Sequence, residues 1–355
     1  MKKVLITGPE FHDYNLSIER AFIKLGFETK VLGYYGGRVS SGTERVAYHL
    51  SRDKEGFMEK LRKRFNENLL GLYNSFQPDL VFIVQGSDVY TETIEKMRNA
   101  KKVLWMMDSI FGNKGGYGMR HAVDQIFLFE KTDVPRLMEK DKLKGWFLPL
   151  AVDEQVYFPT PRNESIDILF VGALYAGRIE MLQKVSEKFK DSVIQVYGHL
   201  YSPMRKPMYH FFRKNKHVFT NKIISPSAVN LLYSQSKICL NAHHEQSKHG
   251  VNQRFFEISG SKSFQLVDNN PYILEAFSSD EIMTYGSREE LFDKIERMLK
   301  DDKTRNSMAS NAHKKVMTHH TFTHRIKFVL DVVTGVSREW VANRDSNISS
   351  NADFS

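Results

Sequence analysis

The sequence predicts an α/β protein made of two Rossmann-like, doubly wound halves. Three observations carry that expectation. Short apolar, β-branched runs alternate with helical periodicity along most of the chain, the pattern of parallel βα units. The alternation stops once, from Pro149 to Asp167, where three prolines (149, 159 and 161) and polar residues read as a linker, and then restarts. At 355 residues the chain has room for two domains of ordinary size.

The first half opens with a strand, Lys3 to Thr7, the turn Gly8-Pro9, a helix from Asn15 to Leu25 and a strand from Phe27 to Leu32. Gly36-Gly37 lacks the GxGxxG spacing of a dinucleotide fingerprint. A long charged helix spans Gly56 to Phe76. Strands at Asp79–Val84 and Lys102–Met107 end in Gln85-Gly86-Ser87 and Asp108-Ser109, and runs at 125–129 and 145–148 complete the sheet. Polar residues thus follow several strand ends, where an α/β fold collects its site. The second half repeats the scheme: strand Ile166–Val171, loop Gly172–Gly177, helix Arg178–Phe189, strand Val193–Val196 closed by Tyr197-Gly198, and helix Ser227–Ser234. After the central stretch described below come a strand at 281–285 and helices at 288–299, 303–317 and 321–333, then a polar tail. The expected limits are 1–155 for the first domain, 156–320 for the second and 341–355 for the tail.

Composition narrows the function classes. With 41% hydrophobic and 26% charged residues the chain is globular. Its one cysteine, Cys239, lies in an apolar run and reads as core packing, which excludes an internal disulfide framework and fits a reducing compartment. The N-terminal apolar run is too short for a signal peptide, and no stretch approaches the roughly 20 apolar residues of a membrane span. These features predict a cytoplasmic protein. The net charge of +9 comes without a zinc-finger, RNP or helix-turn-helix signature, so an anionic substrate or anionic lipid is expected rather than nucleic acid. Basic residues cluster once with aromatics, at 205–216. The plain reading of that segment is a solvated helix; the sharper one is peripheral attachment to the anionic inner membrane face.

The most informative stretch runs from Asn241 to Asp268. A strand at Lys237–Leu240 leads through a polar loop to a helix beginning near Asn252, with Phe255, Phe256 and Ile258 on its apolar face; Gly260 ends it before a strand at 263–267. Such a helix start offers unpaired N–H groups and partial positive charge to a phosphate. Arg254 adds a planar donor fork there. Glu257, one turn on, is placed to accept from ligand hydroxyls. A cation for phosphate and a carboxylate for a diol point to a nucleotide sugar. Arg178 sits just after a glycine-bounded loop, where a cation opposes the helix dipole and so calls for an anion. Each has a plainer reading: an Arg254–Glu257 surface pair, a helix-start arginine, and in Asn252 an ordinary N-cap.

Several of these pieces, in order, resemble the GT-B glycosyltransferases of the CgeB-like (spore-maturation-type, glycosyltransferase group 1) family. Phe170-Val171-Gly172 with Arg178 is similar to its FVG…R element. Leu240-Asn241 and His243, followed by Gly250-Val251-Asn252-Gln253-Arg254-Phe255-Phe256-Glu257, are similar to LNxH…GxNxRxFE. Tyr285-Gly286-Ser287 with Glu289-Glu290-Leu291, and His320-Thr321 with Arg325, resemble its later elements; Trp105–Ser109 and Leu148–Asp153 match more loosely. The resemblance implies two Rossmann-like domains facing each other across a cleft, with the last helix (321–340) crossing back onto the first domain. It also implies a nucleoside-diphosphate sugar bound by the second domain, an acceptor bound mainly by the first, and no cofactor. The implied donor set is Gly172, Arg178, Tyr197, Gly198, Asn241, His243, His249, Gly250, Asn252, Arg254 and Glu257, with Glu257 on the ribose. Related retaining enzymes carry a glutamate eight positions before that residue, where this chain has His249.

His243, His244, Glu245 and His249 lack HExxH or CxxC spacing, and there is no Asp-x-Asp triplet, so a metal-independent reaction is expected. Arginine and the helix dipole would then stabilise the leaving diphosphate. Candidate bases for the acceptor hydroxyl are His12, Asp13 and Asp108, each after a strand of the first half. The rival reading is a noncatalytic nucleotide-sugar or glycan-binding protein on the same fold.

Overall fold

The computed structural model describes residues 1–10, 13–35, 42–199, 218–220, 224–244 and 247–336. The chain divides into two compact units. One contains Met1–Pro149 together with the helix Phe322–Val333; the other runs from Leu150 to Thr321.

The first unit is built on six parallel strands: β1 (Lys3–Pro9), β2 (Glu28–Tyr34), β3 (Leu80–Val84), β4 (Lys101–Met106), β5 (Gln125–Leu128) and β6 (Gly145–Phe147). They lie in the order β2-β1-β3-β4-β5-β6. Every residue of β3 is buried, so its continuous Leu-Val-Phe-Ile-Val sequence has helices to cover both faces. At the edge, β2 keeps exposed positions. The helix Tyr14–Lys24 turns Ile18, Ala21 and Phe22 inward, and Gly26, with φ at +85°, follows its end. The last helix completes this core from the far end of the chain. Phe322 meets Trp105 edge-on at 5.9 Å, and Phe328 stands 6.1 Å from Phe127 and 6.3 Å from Trp146. Buried Arg325 donates from Nε to the Pro149 carbonyl at 2.8 Å.

The second unit repeats the plan with β7 (Ile166–Val171), β8 (Ile194–Tyr197), β9 (Val218–Thr220), β10 (Ser236–Asn241), β11 (Gln265–Asp268) and β12 (Met283–Tyr285). Their order is β12-β11-β10-β7-β8-β9, all parallel. In both sheets the first strand has its successor on one side and the later strands on the other. The order therefore reverses between β1 and β3 and between β7 and β10, and α/β folds bind ligands beyond the carboxyl ends at such reversals.

The structure departs from the sequence reading at several elements. The helix expected from Arg178 starts at Ala176, which places Arg178 within its first turn. The strand expected from Ser263 starts at Gln265. Helix Gly42–Leu50 buries none of its residues, so no core pattern announces it. Helix Pro271–Ala276 has a legible start, Asn270 capping the Tyr272 N–H with proline at N1, but is too short for periodicity. β9 has only three residues, too few for a pattern.

Candidate functional site

The reversal between β7 and β10 brings together most of the donor residues expected from sequence. β10 ends at buried Asn241, and Asn252 opens the helix Gln253–Gly260 across the loop. The two amides are paired: Asn252 Nδ2 donates to Asn241 Oδ1 at 2.8 Å and Asn241 Nδ2 to Asn252 Oδ1 at 3.1 Å. The same Asn252 oxygen caps the helix by accepting the Phe255 N–H at 3.1 Å. Phe255 and Phe256 are fully buried and anchor the helix to the core, each by about 1.5–3 kcal/mol of apolar burial. The helix start is thereby fixed in direction as well as position.

Arg254 projects from the first turn of that helix to the end of β7. A Cβ on Gly172 would stand 3.0 Å from both its Cζ and Nε, so the glycine gives the guanidinium its place. Gly198, beyond the end of β8, is tighter still: a Cβ there would fall 1.8 Å from the Gly172 carbonyl oxygen. Tyr197, the last residue of β8, donates its hydroxyl to Gln195 at 2.7 Å, and burial raises its pKa. Arg178 is buried and spans the reversal. Its Nη1 donates to the Ala173 carbonyl at 2.9 Å and its Nη2 to the Ala242 carbonyl at 2.5 Å, tying the loop after β7 to the loop after β10. Burial, and then the nearby Arg254 guanidinium, pull its pKa down to about 10. The crevice thus holds two guanidinium groups side by side.

Glu257, one turn beyond Arg254, lies beside two buried phenols. Tyr233 donates to it at 3.5 Å, and Tyr157 lies near enough for the carboxylate to act on its phenol. Burial first, and then the Glu257 carboxylate, push both phenol pKa values upward. Sequence reasoning missed both tyrosines, since one lies in the expected linker and the other inside an ordinary helix. Asp268 was also missed, although it is a polar residue at a strand end like those singled out elsewhere. It holds His243, receiving the backbone N–H at 2.9 Å and lying 2.7 Å from ring Nδ1. His249 pairs with Glu275 at 2.9 Å, and the Gly250 carbonyl accepts from buried Asn270 at 3.2 Å. Beside this site, a cavity of about 420 Å³ opens at the ends of β11 and β12, lined in part by Asp268, Tyr285, Ser287 and Arg288.

In the first unit the corresponding strand ends also gather polar groups. Asp13 is the N-cap residue of the first helix, with φ at 53° and no side-chain cap bond. Asp108 is exposed after β4 and accepts from Gln85 Nε2 at 2.7 Å; Asn113 donates to Gln85 at 3.3 Å and to Ser87 at 3.0 Å. Ser109 is turned away to Asp133 at 2.7 Å, and burial raises that aspartate's pKa. His12, Glu245, the pair Gly36-Gly37, the basic segment 205–216 and the tail from 341 lie outside the described residues. Among the described residues no group of three or more His, Cys, Asp or Glu is arranged to hold a metal, and no helix is long and apolar enough to cross a membrane.

Residues 178–331 match a family profile described as glycosyl transferase-like. A search of curated proteins finds no match. Among solved structures, sucrose-phosphate synthase from Thermosynechococcus elongatus superposes with a TM-score of 0.68 at 9% identity, over 95% of this chain and 100% of that one. The α,α-trehalose-phosphate synthase (UDP-forming) of Burkholderia vietnamiensis gives 0.63 at 9% identity, over 94% and 100%. Anabaena HepE in complex with UDP and glucose gives 0.61 at 9% identity, also over 94% and 100%. These likenesses, with the two parallel six-stranded sheets, establish a GT-B fold.

Proposed function

We propose that the chain is a glycosyltransferase that moves a sugar from a nucleoside-diphosphate donor to a hydroxyl acceptor without a metal ion. The observation that carries this reading is the placing of Arg254 over Gly172, beside Arg178 and at the start of a capped helix. Two guanidinium groups and a helix N-terminus together suit a diphosphate whose charge grows as the glycosidic bond breaks. Glu257, oriented by Tyr157 and Tyr233, takes the ribose hydroxyls. Gly172 leaves the Arg254 guanidinium its place at the end of β7, and Gly198 lets the Gly172 carbonyl pack closely at the end of β8, with Tyr197 alongside. Arg178 serves chiefly to hold the two loops in register. The glycosyl transferase-like profile over 178–331 and the GT-B fold support the reaction class, and the resemblance to the CgeB-like group is the finer assignment within it. Of the candidate bases, we assign Asp108 to the acceptor hydroxyl, because its carboxylate is exposed and held by Gln85.

The test is release of nucleoside diphosphate from UDP-, GDP- and dTDP-sugars, with and without EDTA. Release should persist in EDTA. Arg254→Lys keeps the charge and loses the planar fork, so kcat should fall about 10- to 150-fold with little change in KM. Binding of a nucleotide sugar without any release would instead make the chain a noncatalytic binder. Loss of turnover in EDTA, restored by manganese or magnesium, would overturn the metal-free mechanism.

A further inference from the structure

The cavity at the ends of β11 and β12 lies wholly within the second unit and has no part in the roles assigned so far. Its volume of about 420 Å³ falls within the roughly 300–1,000 Å³ of small-molecule sites. The lining is divided in chemistry. Met181, Tyr285, Leu291 and Phe292 supply buried or half-buried apolar surface, whereas Glu180, Asn269, Ser287 and Arg288 are exposed. The Tyr285 hydroxyl stands 3.3 Å from the Met181 sulfur and 3.5 Å from the Asn241 carbonyl, so its polar atom is engaged and its ring is what remains for a ligand.

Asp268 gives the lining a fixed acceptor. Its Oδ1 takes the His243 backbone N–H at 2.9 Å and lies 2.7 Å from ring Nδ1, while Oδ2 has only the longer contact to that N–H, at 3.1 Å. A carboxylate has about four lone-pair sites, and these contacts leave room at Oδ2. The side chain is 32% exposed, so that edge is open. Asn269, beside it, has its place from Gly286, where a Cβ would fall 2.7 Å from the Asn269 Nδ2. Carboxylate and amide together offer both acceptors and donors to hydroxyl groups. Charge decides against an anion. Glu180 and Arg288 meet at 3.4 Å and offset each other, which leaves the lining with the negative charge of Asp268. Glu289 and Glu290, in the first turn of the helix Arg288–Met298, add to it.

We propose that this cavity is a second ligand site, which takes one pyranose unit of a neutral saccharide. A pyranose is divided as the lining is, with C–H groups on its ring faces and hydroxyls around its edge. The faces pack on the apolar side of the cavity, and the hydroxyls pair with Asp268 and Asn269. The site goes beyond the donor seat assigned above and does not depend on it.

The experiment titrates the full chain, without nucleotide, with the methyl β-glycosides of glucose, galactose and N-acetylglucosamine, read by saturation-transfer difference NMR. At least one should bind, in the millimolar range, with saturation strongest on the ring C–H protons. Asn269→Ala should weaken that binding about ten-fold. Asn269→Trp, which fills the mouth of the cavity from an exposed position, should abolish it, and both variants should keep the wild-type Tm. Saturating UDP should leave the glycoside bound. The proposal is overturned if no glycoside binds, or if the signals are unchanged in both variants, which would put the sugar elsewhere on the chain. Displacement of the glycoside by UDP would make the cavity part of the nucleotide seat and also overturns it. So does tighter binding of glucose 6-phosphate that is lost in Arg288→Ala, the behaviour of an anion site. Failure of UDP to bind at all would count against the donor seat alone, since the glycoside and variant titrations are made without it.

Discussion

Single residues in the second unit separate what supports the fold from what would serve the proposed donor. Gly198 and Gly172 both sit at strand ends, yet substitution should act differently. Gly198→Ala puts a methyl 1.8 Å from a backbone oxygen that no side-chain rotation can move. It should lower stability by about 1–3 kcal/mol, seen as a fall in Tm. Gly172→Ala meets the far end of Arg254 at 3.0 Å, which can swing away. That variant should keep its Tm and lose donor affinity in calorimetric titration. Glu257 offers a similar contrast. Because Tyr233 donates to it from a buried position, with buried Tyr157 beside it, Glu257→Ala strands the Tyr233 hydroxyl and should cost about 1–3 kcal/mol of stability as well as donor binding. Glu257→Gln keeps an acceptor for that phenol, so its Tm should stay near wild type while donor affinity falls. Equal loss of stability in both variants would leave Glu257 a structural residue only.

At the scale of the element, the first residues of the helix Gln253–Gly260 carry both its cap and the proposed donor contacts. Asn252→Asp retains the oxygen that caps Phe255 but loses the donations to Asn241 and Ala242. A carboxylate at a helix start also gains about 0.3–1 kcal/mol from the dipole. Stability should therefore change little, while the added negative charge should weaken a nucleotide sugar about ten-fold by titration. Asn252→Ala, in contrast, should lose about 1 kcal/mol of stability with the cap. This helix was legible in the sequence because its signals are local: a capping asparagine, an apolar face and a terminal glycine. Arg254 and Glu257 were legible for the same reason, being one turn apart. The tyrosines behind Glu257 were not, since their contact depends on tertiary packing between positions 157, 233 and 257. Arg178 was legible as a cation but not as a clamp, because its partners are backbone carbonyls that no sequence pattern marks.

Across the whole molecule, buried phenols set an alkaline limit. Burial raises the pKa values of Tyr34 in the first unit and of Tyr157, Tyr233 and Tyr285 in the second. Unfolded tyrosines ionise near pH 10, so the folded state disfavours a charge that the unfolded state accepts. Stability from these groups is fully present below about pH 10 and is lost as pH rises beyond it. In an alkaline titration the exposed phenols should ionise first, and the remaining phenolate absorbance should appear only together with loss of far-ultraviolet ellipticity. Ionisation of every tyrosine before any change in ellipticity would contradict that assignment. The alternating βα pattern, legible along the sequence, fixed the class of both sheets. Strand order was not legible there, because parallel neighbours are joined through distant residues.

The last helix gives the chain an unusual order of synthesis. The first 149 residues leave the ribosome without Phe322 and Phe328, the rings that cover Trp105, Phe127 and Trp146. The described residues of the second unit, Leu150 to Thr321, are made in one continuous piece. The unit's ends are already tied, Val152 bridging to Thr321 in parallel and donating to the His320 carbonyl at 2.9 Å. Domains ordinarily fold in the order in which they emerge. Here the described part of the later-made unit is complete first, and the earlier unit keeps an open apolar face on the nascent chain until the helix Phe322–Val333 arrives.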